Sequence, residues 1–427
     1  MTAAETASGS DEDEGAGVTA PEQAERSDGA VALFRIRDFR RYWFASASFG
    51  VGIWAYITAM GWTALELTDS PFAVSLVNVV YFMPMFLFAV PAGVLADVVD
   101  RRRLAMVSRA ISAVVAGALG LMAGAGHLTY GWLLVVSFII GASIVSELSA
   151  RQAYVAQIVP STMISNAFAL TAFQGGIARV VGPLIGGWTI ARWGDAGGYW
   201  FFAMTSVVFV WFFYRISVSG QPPKREGRAR FRNELISGFS YLRGDRNAAS
   251  VVATSVLCGA VGWVYLAMMP MVARDVLGGD SVVLGILGMA VGLGSVPSSI
   301  YLSTRRRNGG EGRLYVGGLF LWATGIAGFG LAQTQTQAVV MLFLSGIGFT
   351  AHTVLAQTLI IKLVPADFHG RVLGLLGLTW GANIVGTLTA GALAETLGVG
   401  TVVVASACVI VLVTGTVLTF NRNLVRV

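Results

Sequence analysis

Gly93-Val94-Leu95-Ala96-Asp97-Val98-Val99-Asp100-Arg101-Arg102-Arg103 is the stretch whose reading decides the fold. Five charges occupy the seven positions from Asp97 to Arg103, and the apolar segment on each side is long enough to cross a bilayer. A link that short and charged between two membrane helices must lie at the water interface. Its three arginines put it on the cytoplasmic side.

Composition says the same of the whole chain. Of 427 residues, 55% are hydrophobic and 12% charged, against about 25% charged in a soluble domain. A soluble chain cannot hide that much apolar surface, so lipid must cover it. The 53 glycines suit close helix packing in lipid. The net charge of +6 invites a nucleic-acid reading, but the charges are sorted by side. All but three of the 29 Lys and Arg fall in the tail, the links and the helix ends of one side; Arg179 lies inside a span, and Arg192 and Arg274 lie opposite. That is the positive-inside bias, and no nucleic-acid partner is expected. Cys258 and Cys408 both sit in apolar spans and are expected as small core residues. No metal-ligand spacing exists, so neither metal nor cofactor is expected.

Twelve apolar segments follow one another near 42–65, 72–95, 104–124, 130–152, 164–190, 198–218, 248–271, 281–303, 313–332, 337–361, 371–394 and 400–420. An even number puts both termini on one side of a plasma (inner) membrane, and Arg35, Arg37, Arg40 and Arg41 make that side cytoplasmic. Residues 1–36 form an acidic tail with Asp11-Glu12-Asp13-Glu14, expected to be disordered. Two bundles, 37–218 and 248–427, flank a basic linker at 219–247. In it Phe231, Leu235, Phe239 and Leu242 make a helical apolar stripe, expected to lie on the membrane surface. The bundles repeat. A shift of 205 positions sets Val159-Pro160 on Val364-Pro365, Gln152 on Gln357 and Gly186 on Gly391. The expected fold is an all-α membrane protein of twelve transmembrane helices in two pseudo-symmetric six-helix bundles.

Gly-x-Leu-Ala-Asp-x-x-x-Arg-Arg-Arg resembles the loop joining helices 2 and 3 of the major facilitator superfamily, departing from that pattern at Val98 and Asp100. The Asp-x-x-Asp-Arg-Arg-Arg form is similar to the branch that contains the enterobactin exporter. The resemblance implies alternating access around a substrate site near the midplane between the halves. It also implies a cytoplasmic gate made of Gly93, Asp97, Asp100, Arg101, Arg102 and Arg103. There Asp97 acts as a latch while the arginines pair across to the other half. Three arginines would also suffice for topology alone, and Leu302 stands at the second-half equivalent of Asp97, so any latch is one-sided.

In the fifth span, Gly182-Pro183-x-x-Gly186-Gly187 gives a flat face and a kink, and is similar to the helix-5 motif of superfamily exporters that exchange substrate for protons. Arg179 in the same span lies on the order of 22 Å from its inner end. It must face a carboxylate, carbonyls or water, and it reads as contacting an anionic group or stabilising the helix bundle. Glu147 in the fourth span is the clearest buried carboxylate and a candidate proton carrier; the bland alternative is an ion pair with Arg151, one turn away. The 205 shift places Glu147 on His352, a second titratable candidate. The helix-4 Arg motif of proton-coupled drug exporters is not found intact, which puts that route of antiport in doubt.

Trp54, Tyr56, Trp62, Tyr81, Phe82, Phe173 and Trp263 are candidates for an aromatic pocket, with lipid-facing or packing roles the commoner alternative. Glu66, Asp69 and Glu395 read as interfacial caps. The sequence therefore points to a monomeric secondary exporter of a bulky, partly apolar molecule such as a drug-like compound or siderophore, driven by protons. The alternatives are an importer of a polar metabolite, which would need more polar cavity helices, and a membrane enzyme, for which His127, His352 and His369 lie too far apart. No Gly-x-x-x-x-Gly-Lys-Ser/Thr loop for ATP occurs.

Overall fold

The structure, a computed structural model, describes residues 32–222, 231–305 and 309–426. The acidic run of the tail and the basic cluster from Lys224 to Arg230 lie outside the described residues. Among the described residues eleven helices are long and apolar enough to cross a membrane. They are α1 (Arg37–Thr68), α2 (Pro71–Val98), α3 (Arg101–Gly124), α4 (Tyr130–Ile158), α5 (Ser161–Trp193), α6 (Asp195–Tyr214), α7 (Arg246–Val276), α8 (Ser281–Thr304), α10 (Gln335–Leu363), α11 (Ala366–Leu397) and α12 (Val399–Phe420). The helix between α8 and α10, α9 (Glu311–Gly330), takes the remaining place. Arg313 and its glycines dilute its hydropathy, but Tyr315, Leu319, Trp322 and Ile326 bury one face against its neighbours.

Helix starts are written in the sequence. Pro71 opens α2 behind a Ser70 cap, Asp100 accepts from Arg103 N at the head of α3, and Asp245 and Asp280 do the same for α7 and α8. The repeat is exact to the residue where it matters. α4 and α10 share both ends under the 205 shift, and each is followed by a proline and a short 3-10 turn, Ser161–Met163 and Ala366–Phe368. The pairings repeat too: α1 packs on α5 and α6, and α3 on α4 and α6, as α7 packs on α11 and α12, and α9 on α10 and α12. The halves meet along α5–α8 and α2–α11. This is the two-bundle all-α membrane fold expected from the sequence. A helix also occupies Phe231–Gly244, with Leu242 buried and Tyr241 stacked on Phe368 at 5.0 Å, so it docks on the start of α11.

The seam shows why the helix-5 motif needs small residues. Gly182 and Gly186 lie against α1, where a Cβ would come within 2.7 Å of the Val51 carbonyl and 2.8 Å of the Ala55 carbonyl. Gly187 faces the other half, its backbone against that of Ser281, whose hydroxyl donates to the Gly187 carbonyl at 3.0 Å. Close backbone approach of this kind is what holds helices together in lipid. Near that end of the seam Arg274 pairs with Asp69 and Ser70 donates to Glu395 at 2.5 Å, two bonds across the halves. Asp69 and Glu395, expected as interfacial caps, are thus inter-bundle ties. At the arginine-rich end, Gly93 of α2 and Gly370 of α11 have open space where a Cβ would stand, and so do Gly175 and Gly176 midway along α5. The halves part toward the end bearing Arg101–Arg103.

One expectation about placement is corrected. Cys258 is buried, but Cys408 is exposed, because α12 turns that face away from α9 and α7. Gly187→Val should break the α5–α8 seam: the purified protein is expected to unfold several degrees lower, and an unchanged melting curve would mean the seam tolerates separation.

Candidate functional site

The opening leads to a cavity of about 660 Å³ between the halves. It falls in the range of drug-sized sites. Its wall is an aromatic chain running through both bundles. Phe82 of α2 stacks on Trp380 of α11 at 5.5 Å, and Trp380 lies 5.9 Å from Trp263. Trp263 meets Phe349 at 5.1 Å, Phe349 meets Trp322 at 5.4 Å, and Trp322 stacks on His352 at 5.6 Å. Trp263 occupies the break in α7, between Arg246–Gly262 and Val264–Met271, where the helix turns its side chain to the cavity. Gly262 makes this possible from behind, since Trp322 packs flat on its backbone.

Of the expected aromatics, Trp54, Tyr81, Phe82 and Trp263 line this space. Tyr56 and Phe173 are not among the lining residues. Tyr56 is fully buried inside the first bundle, with its hydroxyl 2.9 Å from Ser137 Oγ and its ring packed on Tyr81, Tyr199 and Phe202. Phe173 is 64% exposed, and Trp62 donates to Glu66 instead. Helix rotation decides these cases, and residue type does not reveal it. Phe49, Trp322, Phe349 and Trp380 line the cavity and were not singled out; only their distance from the ends of their spans could have marked them.

Arg179 faces the cavity and also lines a smaller void of about 40 Å³ beside Asn78 and Tyr265. Its guanidinium lies 5.5 Å from the centre of the Trp54 ring, and its Nε is buried without a hydrogen-bond partner among the described residues. Glu147 does not reach it. Among the described residues no carboxylate pairs with Arg179, which leaves it with a cation–π contact worth about 0.5–2 kcal/mol. The cost of such a charge at mid-membrane is about 2.5–3.5 kcal/mol.

Glu147 is taken. It is wholly buried, accepts from Arg151 Nε at 2.6 Å, and pairs at 3.8 Å with Arg109 of α3. Arg109 is the residue that sequence reasoning placed wrongly, among the charges of links and helix ends. It is fully buried, 4.0 Å from the centre of the Phe49 ring, and its three guanidinium nitrogens have no hydrogen-bond partner among the described residues. Arg151, also counted as a helix-end charge, is buried as well. The signal was available: Arg109 lies eight residues into α3, about 12 Å along it, level with the interior. Phe49 separates this three-charge cluster from the cavity. His352, by contrast, lines the cavity, and its Nδ1 is buried with no hydrogen-bond partner among the described residues.

Among the described residues the gate motif makes its bonds within its own half. Asp97 is half-exposed and pairs only one turn along, with Arg101 at 3.3 Å. Arg101 also donates to the Ala96 and Ala153 carbonyls, and Arg102 to the Phe213 and Tyr214 carbonyls at the end of α6. Cations there complement the helix C-terminus. Among the described residues the expected pairing of these arginines across the halves is not made in this conformation: the halves are apart at this end, and the α6 carbonyls lie nearer by. Asp100 is the N-cap of α3.

The family described as transmembrane secretion effector matches residues 28–426. The chain belongs to that family of major facilitator transporters. It is 22% identical over 381 residues to an uncharacterised major facilitator-type transporter, YfiS, of Bacillus subtilis, covering 85% of this chain and 88% of that one. It is 23% identical to the staphyloferrin A transporter of Staphylococcus aureus over 67% of this chain and 72% of the relative. Among solved structures, a mutant of the nucleoside transporter NupG superposes with a TM-score of 0.74 at 14% identity, over 90% of this chain and 99% of the other. A bacterial homologue of the human lysosomal transporter Spinster, inward-facing and unoccupied, gives 0.66 at 14% identity, over 94% and 98%. These last two likenesses concern the fold.

Glu147→Gln leaves two buried arginines without a counter-charge. Breaking a buried ion pair costs about 3–5 kcal/mol. A large loss of thermal stability is therefore expected, partly restored in Glu147→Gln with Arg109→Met. Equal stability of wild type and Glu147→Gln would dismiss the cluster as a structural tie.

Proposed function

We propose that this protein is a secondary transporter that exports a bulky, partly apolar small molecule by alternating access, in exchange for protons. Its arginine-rich end faces the cytoplasm of a plasma (inner) membrane, as the positive-inside bias requires, and it works as a monomer. The observation that carries the reading is the aromatic cavity of about 660 Å³, open toward the arginine-rich end while Asp69–Arg274 and Ser70–Glu395 tie the halves at the other. A molecule entering from the cytoplasm meets stacked rings from both bundles, and closing them around it would draw the arginine-rich ends together. The arginines and Asp97 then become the cross-half latch. The staphyloferrin A transporter among the relatives supports a siderophore as one substrate. The importer reading asks for a polar wall, which Ser255, Thr350, Thr353, Gln357 and Thr379 supply only between the rings.

His352 is the better of the two coupling candidates. It lines the cavity and has a free ring nitrogen, whereas Glu147 sits behind Phe49 between two guanidinium groups. A proton on imidazole can be exchanged with the cavity without dismantling a structural ion pair.

Everted membrane vesicles carrying the full chain test this. An acid-inside gradient should drive accumulation of a transported siderophore or drug-like probe, and His352→Gln should abolish the gradient dependence while the purified variant still binds the probe. Accumulation only in right-side-out vesicles would establish import, and gradient-driven flux surviving in His352→Gln but lost in folded Glu147→Gln would return the coupling role to Glu147.

A further inference from the structure

The charge balance of the cavity is one-sided. Among the described residues lining the main space and the void beside it, Arg179 is the charged side chain, and none is a carboxylate. The nearest carboxylate described above, Glu147, is consumed by Arg109 and Arg151 behind the Phe49 ring. Among the described residues Arg179 thus keeps an uncompensated cation facing the space that both bundles enclose, with a buried Nε that none of them accepts from. Around it the surfaces are rings: Trp54 under the guanidinium, then Trp263 and Phe349, which line both spaces.

We infer that the cavity selects organic anions. The ligand is an amphipathic molecule whose aromatic or apolar body stacks on Trp54, Trp263, Phe349 and Trp380 and whose carboxylate, or an equivalent anionic group, is bound by Arg179. This deepens the exporter reading and rests on its cavity. A guanidinium presents a planar fork of donors that matches a carboxylate in two parallel hydrogen bonds. In a space walled by low-dielectric rings the same charge repels cations strongly. A hydrophobic cation of equal size is therefore excluded, although the aromatic rings alone would favour it.

The test compares three probes with one fluorescent body: 1-pyrenebutyrate, its methyl ester and 1-pyrenebutylamine. Each is titrated into the purified full-length protein, with binding to empty detergent micelles subtracted. The acid should bind at least about tenfold more tightly than the ester, with the amine weakest. Arg179→Met should reduce the acid to the affinity of the ester, and Arg179→Lys should keep part of the preference. The melting curve of each variant controls for folding, and the wild-type ranking of the three probes needs no variant. Equal binding of all three to wild type, or an acid preference that survives in folded Arg179→Met, overturns the anion assignment and leaves the exporter reading standing. Failure of every probe to bind wild type removes both.

Discussion

The carboxylate of Glu147 lies between two guanidinium groups in a region water does not reach, and much of the molecule follows from that. A charge in hydrocarbon must be answered within the protein. One acid answers Arg151 on its own helix and Arg109 on the next, which ties α3 to α4. Phe49 of α1 covers the cluster and contributes its ring face to both cations, at 4.0 and 5.9 Å. The three charges sum to a net cation, so the cluster has nothing left for a fourth. Among the described residues no carboxylate answers Arg179, and Glu147 is held by its own two arginines.

The two bundles repeat each other in backbone but not in chemistry. α4 and α10 begin and end at equivalent residues, and the turns that follow them match. Yet at the position where the first bundle buries Glu147 against arginines, the second presents His352 to the cavity, stacked on Trp322. The first half is stiffened by charge, while the second supplies much of the aromatic wall. Rocking requires two rigid bodies meeting at a narrow seam, and the backbone contacts at Gly187 and Ser281, with the ties at Asp69 and Glu395, place that seam away from the arginine-rich end.

The loop that identifies the superfamily is a local structure before it is a gate. Asp100 caps α3, Arg102 caps α6, and Asp97 leans on Arg101. Each bond would form with the other half absent. Among the described residues the motif has no partner across the seam, which follows from the open arginine-rich end.

The sequence by itself determined what depends on length and local chemistry. The spans were legible because about twenty apolar residues are needed to cross hydrocarbon, and the caps because Ser, Asp and Pro satisfy helix ends in known ways. The repeat was legible in Val159-Pro160 and Val364-Pro365, and Arg179 and Trp263 were already candidates. Only the tertiary structure decided which face of each helix looks inward. Tyr56 went to the core, Phe173 to an exposed position, and Arg109, six residues past Arg103, into the bundle instead of the interface. Hydropathy fixes how far along a helix a residue lies. In helices apolar on nearly every side, the rotation that chooses between lipid, neighbour and cavity is set by packing against other helices, and that information is spread across the whole chain.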